Sequence, residues 1–206
     1  MSRAADSRNG NGRAAHDIHF GIAEAGKLAA LAGDHREALR HYREALRMAV
    51  SAGSPEVFFR HYTQCVLESL ELLGDYDAII QFCENADAHY ATLSQPNPLL
   101  ARDHGSVLER LGAVHLKAGR QAEAKDALTR ALDTAGAGRL PLAATLLGWL
   151  RRGLCPDVTR ITETQKKHKY FTVRRDQVDK TRARPMPKGS GGTPTSVAGF
   201  NAADVP

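Results

Sequence analysis

One pattern constrains this chain more than any other, and it occurs three times. An apolar run of helical period ends in Gly and a polar residue, and a second amphipathic run begins at once. The copies are Ile22–Ala49 (IAEAGKLAALAGDHREALRHYREALRMA), Thr63–Ala88 (TQCVLESLELLGDYDAIIQFCENADA) and Leu108–Ala135 (LERLGAVHLKAGRQAEAKDALTRALDTA). Their junctions are Gly33-Asp34, Gly74-Asp75 and Gly119-Arg120. A residue without Cβ suits the left-handed position at which a helix stops and the chain reverses. Asp34 and Asp75 stand where a carboxylate accepts amide hydrogen bonds at the start of the next helix. After the first junction, Ala38, Leu39, Tyr42, Ala45, Leu46 and Ala49 recur at steps of three and four, which makes one apolar stripe.

The spacing predicts helices over 17–32, 35–52, 55–73, 76–94, 99–118 and 121–135, with a further amphipathic piece near 140–152. That last piece, LPLAATLLGWLRR, is expected to cap the open end of the helical array, with Trp149 packing back against the third pair. Residues 1–16 carry Arg but no apolar h-region, so they are expected to be a disordered leader rather than a secretory signal. Residues 17–152 form the folded body, and 153–206 a flexible basic tail. The stretch PMPKGSGGTPTS is linker-like in composition. Before it, TETQKKHKYFTVRRDQVDKTRAR is compatible with a short strand or with a helix that orders only on a partner.

The three copies resemble the tetratricopeptide repeat, a helix-turn-helix unit with small residues where its two helices cross. Gly26, Gly33, Ala38, Tyr42 and Ala45 match that pattern in the first copy, and Gly112, Gly119, Ala124 and Ala131 in the third. Leu128 stands where an aromatic is usual. In the second copy only Gly74, Tyr76 and Ala86 match well, with Leu67, Ile79 and Cys83 departing from it. Gly33 to Gly74 is 41 residues and Gly74 to Gly119 is 45, against a usual period of about 34. The resemblance implies an all-α chain: a solenoid of about three antiparallel helix pairs in a long-period variant, plus the capping helix and disordered tail.

It also implies a use. In this family the first helices of successive repeats line a groove that holds a peptide or helix. Carried over by position, the groove shows Phe20, Ala23, Lys27 and Ala30, then His61, Gln64, Glu68 and Glu71, then Ser106, Glu109, Ala113 and Leu116, with Arg110 alongside. Glu68, Glu71 and Glu109 make it mildly acidic, so a basic or mixed ligand is favoured. One subclass clamps a C-terminal carboxylate with Lys and Asn. Here Ala23 and Cys65 occupy two of the clamp positions, and Lys27 with Arg110 does not rebuild it.

Charge separates body from tail. Of the net +5, residues 157–188 contribute ten Lys/Arg against four Asp/Glu, Asp204 subtracts one, and residues 1–156 balance to zero. Lys166, Lys167, Lys169, Arg174 and Arg175 surround Tyr170 and Phe171. This composition fits a solubilising tail, an acidic partner or this protein's own groove, or stacking and phosphate contacts with nucleic acid. No sequence-reading module accompanies it.

Catalytic constellations were sought and not found. The chain has no Gly-rich phosphate cradle after a strand, no GxSxG, no HExxH and no paired CxxC. His16 and His19, three apart, read as surface histidines rather than metal ligands, and Cys65 and Cys83 as core thiols. Three cysteines without close spacing suit a reducing cytoplasm, and no apolar stretch is long enough to span a membrane.

The reading is a cytoplasmic, non-enzymatic adaptor without cofactor or metal, holding another protein or peptide on its helical repeats, with the tail as a second contact. Nucleic acid enters through the tail alone. A peptide-sensing regulator and an assembly chaperone or structural component remain as alternatives. On this reading, deleting residues 157–206 leaves helix content and melting nearly unchanged.

Overall fold

The computed structural model describes residues 6–93 and 97–187. Among these the chain is all-α, with no strand. Its helices are α1 (Asp6–Leu31), α2 (His35–Ser51), α3 (Glu56–Leu73), α4 (Tyr76–Thr92), α5 (Pro98–Lys117), α6 (Gln121–Ala135), α7 (Pro141–Arg151) and α8 (Val158–Lys167), followed by a 3-10 turn at Arg175–Gln177. Two compact units are present. Among the described residues the first holds α1, α2, α3 and residues 172–187; the second runs from Gly74 to Phe171. The expected linker from Lys188 on, residues 1–5, and Gln95-Pro96 lie outside the described residues.

Helix ends fall where the junction glycines require. Gly33 and Gly119 have φ of +87° and +78°, and the next residue's amide closes each end. Asp34 N–H donates to Ala29 O at 2.9 Å and Arg120 N–H to His115 O at 2.9 Å. Asp34 then caps α2 by accepting from the Glu37 amide at 3.0 Å. Asp75, expected to do the same for α4, makes no side-chain cap. The helix α1 starts at Asp6, inside the segment expected to be a disordered leader. Once a helix is anchored by packing, each residue added at its end gains a hydrogen bond without a new nucleation cost.

In the first unit α1 packs on α2 and α2 on α3. Gly26 of α1 makes the first crossing close, because a Cβ there would lie 2.7 Å from Tyr42 Cε1. Ala38, Tyr42 and Ala45 of α2 are fully buried. Beside them, Ile22, Ala23, Ala49, Phe59 and Tyr62 form a core cluster.

In the second unit α5 packs on α4 and α6, and α7 on α6 and α5. Here Gly112 faces Leu128, whose Cγ would be 2.5 Å from an added Cβ. Leu128 therefore fills the position where the repeat pattern has an aromatic. The helix α7 buries Leu142, Ala143, Leu146 and Leu147. Trp149, expected to pack on the third pair, is only half-buried, with the Arg160 guanidinium 4.9 Å from its ring.

These crossings predict opposite signs for one type of substitution. Gly112→Ala is expected to cost about 1–3 kcal/mol by overpacking Leu128, although Ala is the better helix former by about 1 kcal/mol. At Gly148 of α7 an added Cβ meets nothing nearer than Arg152 Nη1 at 3.7 Å. Gly148→Ala should therefore raise stability by up to about 1 kcal/mol. Urea unfolding of both variants checks the pair; the same sign for both would remove the assigned crossing.

The segment from Asp157 on departs from expectation. Asp157 caps α8 by accepting from the Arg160 amide at 2.7 Å, and Ile161 and Gln165 are fully buried. The helix packs on α5 and α7. One buried apolar residue, Ile161, with Val158 exposed at the first turn, makes no sustained stripe, so hydrophobic patterning did not reveal this helix. The cap and a tertiary surface stabilise it instead.

Candidate functional site

Most of the residues expected to line a groove are buried or half-buried, with Ser106 exposed, and in each unit part of the C-terminal segment lies against some of them. In the first unit Glu68 of α3 is 2% exposed. Its carboxylate accepts from two successive amides: Thr172 N–H donates to Oε1 and Val173 N–H to Oε2, the latter at 3.0 Å. On α1 the equally buried Glu24 accepts from the Asp179 amide at 2.8 Å through one oxygen. Its other oxygen pairs with Lys27 Nζ at 2.6 Å. A buried carboxylate needs such donors, because leaving it dry and unpaired costs several kcal/mol.

Phe20 of α1 supplies an aromatic seat. The Arg182 guanidinium lies 3.9 Å from its ring centroid and Lys27 Nζ lies 5.8 Å away, both within cation–π range. Arg182 also reaches Asp17 at 3.3 Å. The neighbouring Gly21 carbonyl accepts from the Arg184 amide at 2.9 Å. A Cβ on Gly21 would lie 2.7 Å from Arg182 O and 2.7 Å from Arg184 Cγ. Only glycine lets the segment approach the helix backbone this closely.

His61 of α3 is half-buried, with Nε2 3.9 Å from Cys65 Sγ. Burial, with Lys27 nearby, pushes its imidazole down to about 4. Gln64 is half-buried and Glu71 buried on the same helix.

In the second unit Arg110 and Lys117 of α5, both buried, sit over the tail aromatics. The Arg110 guanidinium is 5.2 Å from the Tyr170 ring and Lys117 Nζ is 5.9 Å from the Phe171 ring. The two tail rings meet edge to face at 5.1 Å. Glu109 has a different task. Its Oε1 accepts from the Ala143 amide at 2.8 Å, so this carboxylate caps the N-terminus of α7. Burial raises its pKa, opposed by that amide and by Arg110.

The expectation of an acidic groove surface therefore needs correction. Glu68 and Glu109 satisfy internal amides, and Glu71 is buried; none of the three is an open surface charge. The tail also divides differently than expected. Lys166, Lys167, Lys169 and Arg175 are exposed, Tyr170 and Arg174 half-buried, and Phe171 buried. The two rings proposed for base stacking thus lie under α5 cations. Lys169 has φ of 54°, a left-handed turn directly after α8 that directs Tyr170 and Phe171 away from the helix axis.

Sequence reasoning missed Asp17, Gly21 and Glu24. Gly21, inside a helical run without a stop signal, was the legible clue. Of the two histidines expected at the surface, His19 in the middle of α1 was misplaced. His19 is fully buried, 2.7 Å from Tyr62 Oη through Nδ1 and 3.0 Å from Ser54 Oγ through Nε2. Burial, with His16 beside it, holds its pKa down to about 4. Core packing against Phe58 and Tyr62, which spacing alone does not show, draws it inside.

Cys65 and Cys83 are buried thiols and Cys155 an exposed one. Among the described residues no three His, Cys, Asp or Glu side chains gather as a metal site, and no helix is long and apolar enough to cross a membrane. Comparison with known proteins finds no matching family model, curated protein or solved structure.

Proposed function

We propose that this protein is a non-enzymatic adaptor of the tetratricopeptide-like kind, working in a reducing cytoplasm and holding a polypeptide partner on the face made by α1 and α3. One observation carries the reading: Glu24 and Glu68 are buried acceptors that receive main-chain amides from an irregular stretch of chain. A surface that takes amides in this way suits an extended peptide, since the backbone donor is common to every non-proline residue. Such a face, ordered before the partner arrives, lowers the entropic cost of association.

The exposed cations Lys166, Lys167, Lys169 and Arg175 supply the secondary contact of this reading, acting by charge on an acidic partner surface or on phosphate. The regulatory alternative also draws support here. A face already holding part of its own chain suits a protein that answers to a peptide.

Cross-linking in the source cell tests the reading. A photoreactive residue at Gln64, on the face, is expected to capture one discrete polypeptide. The same group at the exposed Arg36 of α2 should not. Equal labelling from both positions, or none from Gln64, rejects the adaptor function.

A further inference from the structure

The segment 172–186 meets the first unit through two sets of contacts with different information content. Four are made by its backbone: the Thr172 and Val173 amides on Glu68, the Asp179 amide on Glu24 and the Arg184 amide on the Gly21 carbonyl. These fix an irregular course, which turns at Arg175–Gln177 and again where the Arg182 amide donates to Asp179 O at 3.2 Å, without specifying side chains. Two contacts depend on residue type: Arg182 on Phe20 and Asp17, and Met186 against the core cluster of Ile22, Phe59 and Tyr62. Charge is complementary as well. The segment has Arg174, Arg175, Lys180, Arg182 and Arg184 against Asp176 and Asp179, while the face has Asp17, Glu24 and Glu68 against Lys27.

Resting on the proposed function above, we infer that residues 172–186 are the intramolecular occupant of the α1–α3 face. Its external ligand is a basic, irregular polypeptide segment that displaces them. That ligand presents a guanidinium to Phe20 and Asp17, an unbranched apolar side chain to the Met186 seat, and free amides to Glu24 and Glu68. Asp179, Lys180, Arg182 and Arg184 of the occupant are exposed and Met186 meets the core cluster at its edge, so release of the segment uncovers that edge of the core. A tethered occupant acts at an effective concentration of about millimolar. The apparent affinity for an outside ligand is lowered by the fraction of time the face stands open.

The test uses the full chain and a fluorescein-labelled synthetic peptide of residues 170–187. In the variant Thr172→Pro/Asp179→Pro/Arg182→Ala, two amide donors and the guanidinium are removed from the occupant while the face is untouched. This variant should bind the peptide at least tenfold more tightly than the wild type, and adding Phe20→Ala should abolish the gain. A peptide carrying Arg182→Ala should bind at least tenfold more weakly.

Should the triple variant lose its helical circular dichroism, Arg182→Ala alone replaces it, with a gain of several-fold expected. Clear binding of equal strength to wild type and variant overturns the intramolecular occupancy but leaves a peptide-holding face. Binding to neither removes the proposed function as well. A wild-type dimer that the variant converts to monomer assigns the seat to a second copy's segment and overturns the inference.

Discussion

Removing residues 157–206 is expected to lower the melting temperature by about 6–12 °C, not to leave it unchanged as composition alone suggests. The second unit loses Ile161, fully buried, and Phe171, 7% exposed. Burial of two such side chains is worth roughly 1.5–3 kcal/mol each, less the entropy recovered when the segment is freed. The first unit loses Met186 from its core edge. It also loses the amides that satisfy Glu24 and Glu68, whose carboxylates must then find water. A net loss of about 3 kcal/mol is consistent with that temperature shift. Thermal melts of the full and truncated chains, followed by circular dichroism, decide it. Coincident curves would mean that α8 and the following segment contribute nothing to the folded state.

The second large effect is expected with acid. Burial holds His19 and His61 down to about 4, against the 6.5 usual for histidine, and it lowers His35, His41 and His115 as well. The unfolded chain therefore binds protons over a range in which the folded chain does not. Stability is full above the unfolded value, declines as pH falls from 6.5 towards 4, and levels off below that. Discounting for water near the half-buried His61, the pair together should remove about 3 kcal/mol between pH 7 and pH 4.5.

Two carboxylates with shifted pKa values also contribute. Asp87, held down by Arg130 and His104 against its burial, adds a loss only at lower pH. Glu109, raised by burial, acts in the opposite direction. Urea unfolding across this range measures the effect, and His61→Gln should flatten its upper part. An unfolding free energy constant from pH 7 to 5 would contradict the buried, neutral state of these imidazoles.

The ends of the helices were legible because their causes are local. Gly33 and Gly119 stop helices through their own φ, and Asp34 caps through an amide three residues on. The stripe of α2 declares its buried face at a period that any window reveals. Gly26 and Gly112 were legible as small residues at crossings, since the helices on either side leave no room for more.

The contacts made by the residues expected to line a groove were not legible. Phe20, Lys27 and Glu68 are brought together with the segment from Thr172 on, as Arg110 is with Tyr170. Glu109 turns instead to the N-terminus of α7. Nothing along the chain tells that an acid on α5 will meet an amide 34 residues later. Gly21 and Glu24 were missed for the same reason, because the atoms that give them meaning lie more than 150 residues away.

By itself, then, the sequence determined an all-α chain, the positions of its turns and the faces its helices bury. These follow from φ preferences and hydrophobic period, which act within a few residues. Tertiary structure alone decided that α8 forms around one apolar side chain, that His19 is internal, and that the basic segment lies against α1 and α3. Each of these depends on burial and on amides donated across long separations. Such interactions gain their strength from the exclusion of water, which exists only once the helices are packed.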